Sequence, residues 1–114
     1  MERVDPNQRL LYAAYAGNLE MVRQAVDEGA DIECAEAGTE LSALHLAVGR
    51  GFVDIARYLL DEAGAAIRPD GHGRWPTVIA AQCRASEEMC DFIAEREAAA
   101  AAAGGSEARR DAPR

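Results

Sequence analysis

The chain has 114 residues, enough for one domain with a real but modest core. Apolar residues make up 49% and aromatic ones 5%, with Ala and Leu leading the apolar set, which favours close-packed helices over sheets. The net charge of −8 argues against holding DNA, RNA or an anionic membrane and favours a basic protein surface as partner.

All 12 basic residues are arginines. With abundant Ala and Gly this reads as the codon bias of a GC-rich genome, and the source is expected to be bacterial. Residues 1–7 are expected to be a lead-in. Glu2, Arg3, Asp5 and Arg9 interrupt any apolar core there, so no signal peptide is expected. No apolar run approaches membrane-spanning length. Cys34, Cys83 and Cys90 are too few and too scattered for a disulfide framework. The expectation is a cytoplasmic monomer.

The next feature along the chain is a repeat. Leu10-Leu11-Tyr12-Ala13-Ala14-Tyr15-Ala16-Gly17-Asn18 aligns with Leu44-His45-Leu46-Ala47-Val48-Gly49-Arg50-Gly51-Phe52 and with Thr77-Val78-Ile79-Ala80-Ala81-Gln82-Cys83-Arg84. Ala13, Ala47 and Ala80 recur at a period of roughly 33 residues. Each unit predicts two short helices. In the first unit, one helix runs from about Arg9 to Tyr15 and ends at Gly17, where a left-handed residue is needed. Asn18 then caps a second helix whose apolar stripe is Leu19, Val22, Ala25 and Val26, stopped by Gly29. In the second unit, Gly51 separates the helices; Ile55, Tyr58, Leu59 and Leu60 form the stripe, and Gly64 ends it. In the third, Pro76 suits a first helical turn and Ser86 an N-cap.

These residues resemble the ankyrin repeat family. Ser42-Ala43-Leu44-His45-Leu46-Ala47 looks like its Thr-Pro-Leu-His-x-Ala signature. Asp27-Glu28-Gly29-Ala30-Asp31-Ile32 is similar to its Gly-Ala-Asp-Val turn. Asp70-Gly71-His72-Gly73-Arg74-Trp75-Pro76 resembles the entry to a further repeat, with Trp75 where Thr is usual. The resemblance covers about residues 8–96, as repeats 8–37, 38–70 and 71–96. It implies an all-α stack (an α-solenoid) of three helix-turn-helix repeats with projecting turn or hairpin fingers. Departures are Arg9 and Leu11 for Pro and His, Glu33 for Asn, one extra residue in Asp61–Ile67, and a longer turn near Arg84–Glu87. Residues 97–114 are expected to be an Ala-rich helical extension through Ala98–Ala103, then a disordered tail after Gly104, either solvated or available for docking.

The resemblance implies a non-catalytic module that binds another protein in a concave groove, and the finger acids lead to the expectation that this groove is acidic. The family's groove positions fall on Tyr15 and Ala16, Gly49 and Arg50, and Gln82 and Cys83. Its finger positions fall on Glu33, Glu36, Thr39, Glu40, Asp70, His72, Arg74 and Trp75. His45 fills the signature histidine position and is expected to order the loops by hydrogen bonding to backbone. No nucleophile or base motif surrounds it, so no catalytic residue is expected. His72 is either a partner contact or a solvated loop residue, and Trp75 either a binding hot spot or a cover over the finger base. The acids from Glu33 to Glu40 point to a partner with a basic patch, or simply keep the loop soluble. Cys83 and Cys90 lack metal-ligand spacing and are expected to be small buried thiols, so neither metal nor cofactor is expected. An inhibitor or immunity-type protein neutralising a basic toxin or nuclease is the alternative, and a secreted effector adaptor a further one.

Overall fold

The computed structural model describes residues 5–111. They form six helices: α1 (Pro6–Ala16), α2 (Leu19–Asp27), α3 (Ala43–Arg50), α4 (Val53–Asp61), α5 (Pro76–Gln82) and α6 (Glu87–Asp111). Consecutive helices pair as α1–α2, α3–α4 and α5–α6, and the pairs stack in chain order. The first helices form an inner row, in which α3 packs between α1 and α5. The second helices form an outer row, with α4 between α2 and α6. The expected all-α repeat stack is therefore the fold.

The inner row packs closely because its contact positions are small. Ala13, Ala47 and Ala80 are at most 1% exposed and recur once per unit. Leu10, Val48, Ile55, Leu59, Met89 and Ile93 fill the space around them. Each pair packs within itself and also buries apolar surface against its neighbours, as a repeat stack requires.

Chain entry differs from the expected lead-in. The first helix begins a turn before Arg9, because the Asp5 carboxylate accepts the Asn7 N–H at 3.1 Å and Pro6 occupies the first turn. Residues 1–4 of that lead-in lie outside the described residues. The turn into α2 contains Gly17 at φ 82°, after which Asn18 accepts the Met21 N–H at 3.0 Å. An added Cβ on Gly17 would meet the Phe52 ring at 2.7–3.0 Å. Gly17 thus both turns the chain and seats an aromatic residue of the second unit. Gly29, Gly51 and Gly64 also hold positive φ, at 98°, 81° and 83°. In the third unit the residue aligned with Gly51 is Arg84, which takes φ 55° despite its side chain.

The last helix runs from Glu87 through Gly104-Gly105 to Asp111. Propagating an existing helix adds a hydrogen bond per residue, and Ala98–Ala103 with Glu107, Ala108, Arg109 and Arg110 are good helix formers. Two glycines cost about 1 kcal/mol each against Ala, and the residues around them add little further cost. Early in this stretch α6 is tied to α5. Glu97 accepts both the Thr77 N–H (3.1 Å) and the Thr77 hydroxyl (3.0 Å) at the start of α5. Trp75 occupies the N-cap position of α5 but makes no side-chain cap, so a carboxylate from α6 supplies one. Residues 112–114 lie outside the described residues.

Candidate functional site

Two fingers leave the helical stack, one between α2 and α3 and one between α4 and α5. The first is closed by an antiparallel bridge between Ala35 and Ser42, with Glu36 N–H donating to Leu41 C=O at 2.9 Å. At its tip the Thr39 hydroxyl donates to Glu36 at 2.6 Å, and Glu40 turns the chain at φ 61°. The second is organised by Asp70, whose Oδ1 accepts the His72 and Arg74 N–H groups at 2.9 Å each. Its Oδ2 accepts Arg74 Nε at 2.8 Å. The fingers touch where Gly71 N–H donates to Glu40 C=O at 3.1 Å. Only a glycine allows that approach, since a Cβ on Gly71 would lie 2.3 Å from the Glu40 Cβ.

His45 ties the fingers to the helices. Its Nδ1 accepts from Ser42 N–H (3.3 Å) and lies 2.8 Å from the Ser42 hydroxyl, completing a capping box at the start of α3. Its Nε2 sits 2.8 Å from Arg68 C=O. A carbonyl can only accept, so Nε2 carries the proton and the ring is the neutral tautomer. Burial holds the His45 pKa below its ordinary value, against raising contributions from the Arg68 carbonyl, Asp70 and Glu33.

A crevice of about 250 Å³ opens where the fingers meet the inner row. Leu41, Leu46 and Ile79 supply apolar lining, and Tyr15, Arg50, Arg74 and Cys83 stand around it with Gly49 among them. The Arg50 guanidinium lies over the Tyr15 ring, 4.2 Å from its centroid. Arg74 also reaches Gln82 Oε1 at 3.4 Å, closing the finger onto α5. A second crevice of about 200 Å³ lies along α1, lined by Gln8, Leu11, Tyr12, Tyr15 and Glu36. A wider depression of about 580 Å³ on the outer side of α2 is walled by that helix alone, through Leu19, Glu20, Arg23, Gln24 and Asp27. It brings no two elements together.

The pattern that defines ankyrin repeats is matched in three copies over residues 10–103. The chain belongs to the ankyrin repeat family. A Rickettsia felis protein named for its ankyrin repeats is 44% identical over 55 residues, 48% of this chain and 86% of that protein. A serine/threonine-protein kinase of Arabidopsis thaliana is 31% identical over 75 residues, 66% of this chain but 16% of the kinase. A potassium channel of the same plant is 36% identical over 70 residues, 61% of this chain and 8% of the channel. In the two plant proteins the likeness is to a small part of a longer chain.

In this ankyrin stack the expected groove residues Tyr15, Gly49, Arg50, Gln82 and Cys83 do come together, but other expectations are corrected. Asp70 is not available to a partner: its side chain is fully buried and ion-paired with Arg74. Glu33 accepts the Ala66 N–H at 2.9 Å and faces Arg68 at 3.7 Å, so it links the ankyrin fingers. The charged residues lining the central crevice are Arg50 and Arg74, while Glu36 lines the second crevice and Glu40 stands on the first finger. Most acids lie instead on the outer row, including exposed Glu20, Asp54, Glu87, Glu88, Asp91 and Glu95. Cys83 is exposed and Cys90 half-buried, not enclosed in the core, because Cys83 ends α5 on the groove side. His72 and Trp75 are exposed on the second finger, outside the residues lining either crevice. Tyr12, 62% exposed, is the residue that the pattern missed. It aligns with buried Leu46 and Ile79, and its place one helical turn before Tyr15 was the available signal. Among the described residues no group of three or more His, Cys, Asp or Glu side chains is placed to hold a metal ion, and no helix is long and apolar enough to cross a membrane.

Proposed function

We propose that this ankyrin stack, like ankyrin repeats in general a protein-interaction module, is non-catalytic and binds another protein in the groove between the fingers and the inner row. The observation that carries the reading is the exposure of large apolar side chains along the inner row. Tyr12, Tyr15, Trp75 and Val78 are each at least 40% exposed and belong to α1, to α5 or to the cap of α5. Exposed Tyr and Trp among charges are the side chains that most often anchor an interface. Arg50, Arg74, Gln82 and the finger residues Glu36, Glu40 and His72 supply polar groups around them.

Affinity capture from the source cell tests the reading. Tyr15→Ala combined with Trp75→Ala is expected to abolish recovery of the partner while thermal unfolding stays unchanged. Undiminished capture by a folded double variant overturns the groove.

The acidity supports a second reading, an inhibitor or immunity-type protein that neutralises a basic toxin or nuclease. Its contact surface is then the outer row, where the exposed acids lie. Capture lost at high salt and on charge reversal at Glu87, Glu88 and Asp91, but unaffected by the groove variant, selects it.

A further inference from the structure

The charge of the central crevice runs against the charge of the chain. The net charge is −8, yet the charged residues lining the central crevice are two arginines. Arg74 is neutralised there by the buried Asp70 carboxylate. Arg50 is not: among the described residues no carboxylate lies within ion-pair distance of it. One face of its guanidinium is occupied by the Tyr15 ring, with the Phe52 ring further off at 5.9 Å. Stacking holds the plane of the group while leaving its N–H fork free, the arrangement that suits a carboxylate.

The crevice beside this fork has the dimensions of a side chain. Gly49 lets the inner helices approach closely, since even a Cβ there would come within 3.3 Å of Cys83 Sγ and 3.4 Å of Ile79 Cγ2. Beside this close approach the crevice is bordered by Leu41, Leu46 and Ile79 and measures about 250 Å³, enough for one Leu-, Met- or Phe-sized group. We propose that the groove takes an acidic peptide segment, whose one bulky apolar side chain enters the crevice at Gly49 and whose neighbouring Asp or Glu carboxylate pairs with Arg50. This rests on the groove being the binding face and adds the chemistry of what binds there.

The acidity of the outer row does not oppose it. The outer-row acids stand a helix diameter of about 10 Å or more from the crevice, beyond the Debye length of about 8 Å at physiological salt. Of the finger acids, Glu33 is paired with Arg68, whereas Glu36 and Glu40 have no basic partner among the described residues and disfavour acidic residues near the fingertip.

The test uses the full chain and three fluorescently labelled synthetic dodecapeptides. One has a single Leu flanked by Asp and Glu, one has that Leu replaced by Ala, and one has Lys in place of the acids. Binding is read by anisotropy and located by amide NMR shifts. The acidic Leu peptide is expected to bind best, to shift Tyr15, Gly49 and Arg50, and to lose roughly tenfold in affinity with Arg50→Gln, the loss of a charged hydrogen bond. Arg50 is exposed at the end of α3, so the variant should fold, and its circular dichroism checks this. Tyr15→Ala, which removes the stacking platform, provides a second loss. Equal or tighter binding of the Lys peptide with shifts at Gly49 overturns the acidic specificity but leaves the groove as the binding face. Shifts confined to the outer row, no binding by any peptide, or an unaltered affinity with Arg50→Gln overturn the proposal. The groove reading is then judged separately by the Tyr15 and Trp75 capture.

Discussion

At the scale of the residue, two turns at equivalent places carry opposite predictions. Gly17 and Arg84 each follow the first helix of their unit and each hold positive φ. A side chain in the left-handed region costs about 1–2 kcal/mol, which Gly17 avoids and Arg84 bears. Gly17→Ala is therefore expected to destabilise by about 2 kcal/mol, since it also drives a methyl group against the Phe52 ring. Arg84→Gly is expected to stabilise by about 0.5–1 kcal/mol, the relief being partly offset by greater freedom of the unfolded chain. Urea denaturation of the two variants measures both, and a loss for Arg84→Gly contradicts the strain argument. Gly17 was legible as a turn from its place in the repeat. The Phe52 contact was not, because it joins residues of different units.

At the scale of the element, the caps show how one helix depends on another. The second unit caps α3 locally through Ser42 and His45. In the third unit Trp75 replaces the capping residue, and Glu97 reaches across from α6 to bond Thr77 twice. Glu97→Ala is expected to cost about 1 kcal/mol, as for loss of an N-cap, and to raise hydrogen exchange at the Thr77 amide selectively. An unchanged exchange rate there would show that the contact does not hold the helix start. The helices α4 and α6 are likewise joined by Arg96, which forks onto the Asp61 carboxylate and packs on the Phe92 ring. No local pattern announces these bonds. Glu97 and Arg96 simply read as polar residues on an outer helix, and their partners lie in other helices.

At the scale of the whole molecule, the pH dependence of stability follows from the finger network. His45 is held below its ordinary pKa of 6.5, chiefly by burial. The unfolded chain therefore takes up that proton first. Stability is fully present above about pH 6.5 and is lost as pH falls from there through the folded value. Burial pushes the Asp70 pKa upward, but hydrogen bonds from the Arg74 backbone and side chain and from His72 N–H outweigh it. Its pKa is thereby left below 3.8. Asp70 adds a second loss as pH falls below about that value. Thermal melts across pH 7.5 to 3 should show an early decline that His45→Ala removes, leaving a less stable protein without that step. An early decline that persists in the variant refutes the assignment to His45.

The sequence by itself determined the repeat, the helix pairs, the turn glycines and the place of the signature histidine. All of these are set by residues a few positions apart and repeat once per unit, so each copy corroborates the others. Only the tertiary structure decided the character of the groove. It buried Asp70 beneath Arg74, turned Glu33 to the second finger, sent most of the acidic charge to the outer row and left Arg50 stacked on Tyr15 beside the central crevice. Net charge is a sum over the chain and carries no direction. Which face bears it depends on how the units stack, and stacking joins residues a whole repeat apart.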